Sequence, residues 1–159
     1  MQNRKRGFEV CKGYEDKNIN LPKRHTAHSV GYDLESAEDL VVPSIWKKVL
    51  SLKEVKPTMI KTGIKAYYAE DEVLYIYNRS SNPAKKGLVF ALGAGVIESD
   101  YYGNESNDGE LMVPFYNFFP IDIKVKKGER IAQAVFQKFL IVDNDDATGK
   151  RTSGFGSTD

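Results

Sequence analysis

Short runs of β-branched and aromatic residues recur along this chain, and Gly, Pro, Asn or Asp closes off nearly every one. Residues 8–11, 64–68, 73–77, 87–92, 111–117, 121–125 and 131–140 all read as strands. Such side chains suit a pleated, half-buried surface, and only the last run exceeds seven residues. Many short strands with turn signals between them predict an all-β domain built as a sandwich, jelly roll or barrel. A chain of 159 residues is long enough for one such domain with a sizeable core. No internal repeat, linker or low-complexity tract divides it.

Charge and cysteine content exclude several classes. A formal net charge of +1 gives no global attraction to nucleic acid or anionic lipid, and Arg4-Lys5-Arg6 is too short to carry a binding site. No apolar run approaches the roughly 20 residues of a membrane span, and the N-terminus lacks the apolar core of a signal peptide. Cys11 is the one cysteine, so no intrachain disulfide can form and a reducing, cytoplasmic setting is expected. Two histidines, His25 and His28, are too few for a zinc site of the usual Cys/His type and read as members of a polar loop.

Two stretches depart from the β pattern. Ser44-Ile45-Trp46-Lys47-Lys48-Val49-Leu50 follows Pro43 and spaces its apolar residues for one helical face. It reads as a short amphipathic insertion, a packing or partner element around Trp46. Asn82-Pro83-Ala84-Lys85-Lys86-Gly87 offers a cap, a proline at the first helical position and a closing glycine.

Directly before that turn stands Arg79-Ser80-Ser81. Helix-start amides, two hydroxyls and a guanidinium converging on one spot make an anion site, although a helix cap beside a surface arginine would look the same. Gly95-Val96-Ile97-Glu98-Ser99-Asp100-Tyr101-Tyr102-Gly103 has glycines at both ends, where a ligand can approach the backbone. A strand edge there presents N–H and C=O groups that could read a pyrimidine, with Glu98 and Asp100 adding carboxylates and Tyr101 a flat ring. A hairpin with surface acids is the plainer alternative. Asp33 reads as a turn residue and Gln133 as a strand residue bonded to a neighbour. The tail, Arg151-Thr152-Ser153-Gly154-Phe155-Gly156-Ser157-Thr158-Asp159, sets one ring between two glycines, a poor core strand but a workable flexible arm. Phe155 could lie on a planar base while Arg151, amides and hydroxyls meet phosphate oxygens; a solvated terminus is the alternative.

Taken in order, these stretches resemble the trimeric deoxyuridine triphosphatase (dUTPase) family. Counterparts of all five family motifs are present: Gly31-Tyr32-Asp33-Leu34, Arg79-Ser80-Ser81, the stretch from Gly95 to Gly103, Gly128-Glu129-Arg130-Ile131-Ala132-Gln133, and Gly154-Phe155-Gly156-Ser157-Thr158. Lys61-Thr62-Gly63-Ile64 looks like the strand before the second motif. The resemblance implies a jelly-roll-like β-clip domain over residues 1–149, with a C-terminal arm over 150–159 that closes on the site. It also implies a homotrimer with shared active sites that hydrolyses dUTP to dUMP and pyrophosphate with Mg2+. On that resemblance Gly95, Val96 and Ile97 bind uracil through their backbone, and Tyr101 packs on the deoxyribose. Arg79, Ser80, Ser81, Gln133 and Arg151 hold phosphates, and Asp33 meets magnesium through water. Phe155, followed by Gly156, Ser157 and Thr158, stacks over the base as the arm closes.

Two departures bear on catalysis. Glu98 stands where the family has its water-activating aspartate; its carboxylate reaches about 1 Å further, a displacement that can cost roughly 10²-fold in rate if uncorrected. Asp100 is the second candidate, sharing Glu98's face if the strand is regular. In the tail, Lys150 stands five residues before Phe155, where the family often has arginine, and Arg151 is one step closer. Asn104 to Gly109 lengthens the hairpin. The competing readings are a nucleotide-binding regulator with weak turnover, and a dCTP deaminase-like enzyme of the same fold, which the glycine-rich tail and Tyr101 disfavour.

Overall fold

The structure is a computed structural model that describes residues 4–149. Eleven strands and two short helices form four small antiparallel sheets, none closed into a barrel. β1 (Gly7–Val10) pairs with β5 (Ile64–Tyr67), and β3 (Leu40–Val42) with β10 (Ile123–Val125). β4 (Thr58–Lys61) and β7 (Leu88–Phe90) flank β9 (Met112–Asn117). The largest sheet runs β2 (Tyr32–Glu35), β11 (Arg130–Lys138), β6 (Glu72–Asn78), β8 (Ala94–Ile97). The jelly-roll-like, all-β reading therefore holds.

Alternation along the strands builds the core. Leu74 and Ile76 of β6, Ala132 and Ala134 of β11 and Leu34 of β2 point to one side, where they pack with Ile60, Ile64, Val113 and Phe115. Phe115, Leu34, Ile60 and Val113 are fully buried, each worth about 1.5–3 kcal/mol of transfer from water. Phe8, Tyr32, Tyr68 and Phe136 close one end with ring centroids 5.3–6.0 Å apart.

Four corrections to the sequence reading emerge. Asp33 lies inside β2 and not in a turn, because β2 completes the sheet edge beside β11. The second helix, α2 (Ser81–Lys86), begins one residue earlier than its apparent cap, with Ser80 at the N-cap. Asn82 is buried instead, its amide donating to Asn78 Oδ1 and to the Ile131 carbonyl, both at 2.8 Å; Gly87 closes the helix at φ +62 as expected. The strand carrying Glu98 does not continue: β8 ends at Ile97 and Ser99–Tyr101 form a 3-10 turn, so Asp100 does not share Glu98's face by strand alternation. The first helix, α1 (Ile45–Leu50), is capped by Ser44, whose Oγ accepts from the Trp46 amide (3.3 Å), but buries none of its residues. Trp46 is occupied within the chain, its indole N–H donating to the Phe118 carbonyl (2.8 Å) while Lys47 pairs with Asp122 (2.7 Å). These contacts fasten α1 to the body, and nothing supports a partner at Trp46. No helix among the described residues is long and apolar enough to cross a membrane.

Candidate active site

Two groups of the expected residues assemble at different edges of the large sheet. The first gathers Asp33, Arg79, Arg130 and Gln133. Asp33 lies directly across from Gln133, which lies across from Tyr77 of β6, so all three share the face of the sheet opposite the core. Arg79 leaves the end of β6 two residues beyond Tyr77. Its Nε lies 3.7 Å from Asp33 Oδ1, while its Nη1 donates to the Arg130 carbonyl (3.1 Å). Among the described residues that buried Nε has no hydrogen-bond partner, a donor in want of an acceptor. Arg130 Nη1 meets Asp33 Oδ2 at 3.1 Å and His25 Nε2 the same oxygen at 3.2 Å.

Gln133 reaches this cluster because Gly31 leaves room for it. A Cβ at position 31 would lie 2.8 Å from Gln133 Oε1. Ser80 and Ser81 stand at the start of α2, and Ser80 makes no side-chain cap hydrogen bond. Lys86, at the far end of α2, is ion-paired with Glu129; burial, then the Arg79 charge, pulls its pKa below the usual lysine value. The cluster is thus a basic corner around one carboxylate, suited to a polyanion.

Arg130 and His25 are contacts the sequence reading did not assign. Arg130 is three residues from Gln133 and should face away from it, but the register slips between Arg130 and Ala132. That bulge redirects the side chain toward Asp33. The motif Gly128-Glu129-Arg130 carried a signal for the residue, though not for the bulge.

The second group lies at the opposite edge. Among the described residues β8 is the last strand of its sheet, and its outer edge has no strand partner there, as a base-reading edge requires. Gly95 packs closely on the core side, where a Cβ would come within 3.3 Å of Ile76 Cβ. The Ile97 carbonyl already accepts a hydrogen bond from Tyr68 Oη (2.5 Å), so Ile97 contributes less free backbone than expected. Val96 is exposed. Glu98 borders a cavity of about 330 Å³, lined also by Glu70, Glu72, Val73, Tyr75 and Phe139. Glu72 is held below its usual pKa by its hydrogen bonds to Arg6, against the opposing effect of burial. Asp100 is exposed in the 3-10 turn. Tyr101 is 6% exposed, with its hydroxyl 3.3 Å from the Glu110 carbonyl and 2.6 Å from Asn107 Nδ2. A larger cavity of about 580 Å³, bordered by Arg6, Arg24, His28 and Lys138, contains none of the expected site residues. Arg151, Phe155, Gly156, Ser157 and Thr158 lie outside the described residues, as does Lys150.

Among the described residues no three His, Cys, Asp or Glu side chains are arranged to hold a metal ion. Asp33 offers one carboxylate next to two guanidinium groups. That set fits a magnesium ion carried on substrate phosphates and touched through water, and does not fit a protein-built cage.

Comparison with known proteins gives a consistent picture. The dUTPase family model matches residues 17–159. The deoxyuridine 5'-triphosphate nucleotidohydrolase of Lactococcus lactis is 46% identical over 155 residues, covering 96% of this chain and 97% of that protein. The crystal structure of dUTPase from Streptococcus mutans superposes with a TM-score of 0.74 at 41% identity, over 87% of this chain and 99% of that one. The dUTPase of Staphylococcus bacteriophage 80alpha shares the fold at a TM-score of 0.67 and 20% identity, covering 92% of this chain and 97% of that chain. With its motif residues gathered at two edges of one sheet and a family match running over most of its length, the chain belongs to the dUTPase family.

Proposed function

We propose that this chain is a dUTP pyrophosphatase, releasing dUMP and pyrophosphate. Water attacks the α-phosphorus in line: the new bond is water oxygen to phosphorus, the bond that breaks joins that phosphorus to the bridging oxygen, and pyrophosphate leaves. Glu98 takes the water proton. Arg79, Ser80, Ser81 and Gln133 hold the phosphates, and Arg79 brings a buried Nε with no hydrogen-bond acceptor of its own among the described residues. Magnesium, when bound on the triphosphate, offsets phosphate charge, and Asp33 would meet its hydration shell. The edge of β8 around Gly95 and Val96 reads uracil, and cytosine would present a donor where the site expects an acceptor, a mismatch costing roughly 1–3 kcal/mol. The tail, with Arg151 and the ring of Phe155, covers the base as an arm over residues 150–159 appended to a single domain over 1–149.

One observation carries this reading: residues from three separate motifs, Asp33, Arg79 and Gln133, converge beside Arg130 at one corner of the sheet.

The same geometry supports a homotrimer with shared sites. Glu98 follows the Leu74–Ile97 pair, while Arg79 lies five residues past Leu74. At about 3.3 Å per residue they stand on the order of 15 Å apart along β6, further than a triphosphate extends. In the shared-site arrangement that the family resemblance implies, the hairpin would come from one copy and the phosphate corner from another. Tyr77 and Val96, 40% and 54% exposed on the outer face of the sheet, are apolar surface that such an assembly covers. A cytoplasmic location fits a chain whose one cysteine, Cys11, can form no intrachain disulfide.

The test is to incubate the purified protein with magnesium and dUTP, using dCTP, dTTP and UTP as controls, and to follow pyrophosphate and ammonia. Pyrophosphate from dUTP alone is expected, with turnover falling at least about 10²-fold in Glu98→Gln. Wild-type turnover in Glu98→Gln would remove Glu98 from the role of base. A second reading, a dUTP-binding regulator, is favoured by glutamate at that position. Tight dUTP binding without pyrophosphate release would select it, and ammonia from dCTP would select a deaminase.

A further inference from the structure

The hairpin extension over residues 104–109 is tied to the rest of the chain by three side-chain hydrogen bonds and stiffened by a fourth within it. Asn107 Nδ2 donates to Tyr101 Oη (2.6 Å), and Asn107 Oδ1 accepts from the Gly109 amide (3.1 Å). Asp108 Oδ2 accepts from Lys65 Nζ of β5 (2.7 Å) and from the Lys12 amide just after β1 (2.9 Å). The Asp108 and Lys65 side chains are only 13% and 11% exposed. Gly109, at φ +79, lies so close that a Cβ would come within 2.5 Å of the Tyr101 carbonyl oxygen and 3.0 Å of the Gly103 amide. The extension is therefore anchored on a different sheet from the one that carries β8, and it holds the tyrosine by its hydroxyl.

The Tyr101 ring is buried, and its backbone is held in the turn by its amide donating to the Glu98 carbonyl (3.1 Å); what fixes the far end of the ring is the set of contacts to its hydroxyl. Its turn is one round of 3-10 helix following a strand edge, and its hydroxyl has Asn107 and the Glu110 carbonyl as partners. The family resemblance implies that the Tyr101 ring packs on the deoxyribose and leaves no room for a 2′-hydroxyl; a ring with that role has to be held to within a few tenths of an ångström, since an unsupported ring can tilt to admit the larger sugar. Burial works to raise the Asp108 pKa, but the Lys65 hydrogen bond and the Lys12 amide outweigh it and leave Asp108 below its usual value. The anchor is thus an ion pair at neutral pH.

We infer that Asn107 and the Asp108–Lys65 pair are positioning residues that brace Tyr101 and so set the discrimination of deoxyribose from ribose. The inference rests on the proposed dUTP reading. Asn107 acts on the tyrosine hydroxyl; Asp108 and Lys65 hold the extension that carries Asn107. None of the three touches the substrate.

The experiment measures kcat/KM for dUTP and for UTP in wild type, Asn107→Ala, Asn107→Asp, Tyr101→Phe and the Asn107→Ala/Tyr101→Phe pair, with melting temperatures alongside. Asn107→Ala is expected to lower the dUTP-to-UTP ratio about fivefold, the equivalent of one net hydrogen bond. Asn107→Asp should restore part of it, because the aspartate still accepts from the Gly109 amide and the tyrosine hydroxyl can turn from the Glu110 carbonyl to donate to it. In the Tyr101→Phe background Asn107→Ala should change the ratio no further, since its point of action is gone. Amide exchange at residues 101–103 should quicken in Asn107→Ala whether or not nucleotide is present. A uniform loss of activity with both nucleotides, at an unchanged ratio, would overturn the brace while leaving the dUTP reading intact. Should Asn107→Ala fold poorly, Lys65→Met supplies the same ratio test from the other end of the anchor. A wild-type protein inert toward dUTP would remove the dUTP reading and the brace together.

Discussion

Replacing Gly31 by alanine should impair catalysis without weakening the fold. The methyl carbon would lie 2.8 Å from Gln133 Oε1, 3.2 Å from its Cβ and 3.3 Å from its Cδ. Comfortable carbon contacts begin near 3.5 Å, so the carboxamide has to move by at least about 0.5 Å. Gln133 cannot retreat as a whole, because β11 is paired on both sides, with Asp33 and with Tyr77. The movement therefore falls on the terminal amide, the group expected to hold a phosphate. A hydrogen bond to a charged partner contributes about 1.5–3 kcal/mol, which corresponds to a loss of roughly 10- to 150-fold in kcat/KM. Gly31 is not among the positive-φ glycines, so alanine fits its backbone and restricts the unfolded chain by about 0.4–1 kcal/mol. That gain offsets much of the crowding, and the melting temperature should stay within a few degrees. Steady-state kinetics with dUTP, paired with thermal unfolding, would measure both. In a Gln133→Ala background Gly31→Ala should cost nothing further. Kinetics within twofold of wild type, or an undiminished loss in that background, would refute the steric route through Gln133.

Two more outcomes can be checked. Asp108 has a lowered folded-state pKa, so its contribution to stability is complete above its unfolded value of about 3.9 and disappears as pH falls through the lower folded value; Asp108→Asn should therefore cost about 1–3 kcal/mol by urea unfolding at pH 7, with the gap from wild type shrinking below about pH 4 and a pH-independent gap counting against the ion pair. Deleting Arg151 to Asp159 should leave the melting temperature unchanged, because the buried cluster is built from strands within β1 to β11, yet abolish most dUTP turnover; loss of assembly by light scattering would instead give the tail a structural role.

How much of this was legible in the sequence depended on how local the cause was. Pro43 and Ser44 announce α1 because a cap needs only its neighbours. The start of α2 was read late because Asn82 resembles a cap, and its true partner, the Ile131 carbonyl, lies 49 residues away. Asp33 passed for a turn residue since nothing near it signals that β11 will recruit residues 32–35 as a strand. Arg130 was overlooked for a sharper reason. Strand alternation places it opposite Gln133's face, and only the register slip before Ala132 reverses that. Trp46 misled in the other direction: a tryptophan in a short helix suggested a docking surface, yet its N–H serves the Phe118 carbonyl.

Motif order therefore conveyed the chemistry, whereas the distribution of that chemistry over the sheet came from the pairing. Asp33, Gln133 and Tyr77 line up across β2, β11 and β6, and the hairpin lies beyond, on β8. A strand seven residues long separates the residue that would activate water from those that would hold phosphate. Within one copy the paired, core-packed sheet lies between these two halves. Under the proposed shared-site arrangement, association would bring the two halves together and would cover the outer face around Tyr75, Tyr77 and Val96. In that arrangement the hairpin would reach toward another copy, and the Asp108–Lys65 anchor would support it from β5, outside its own sheet.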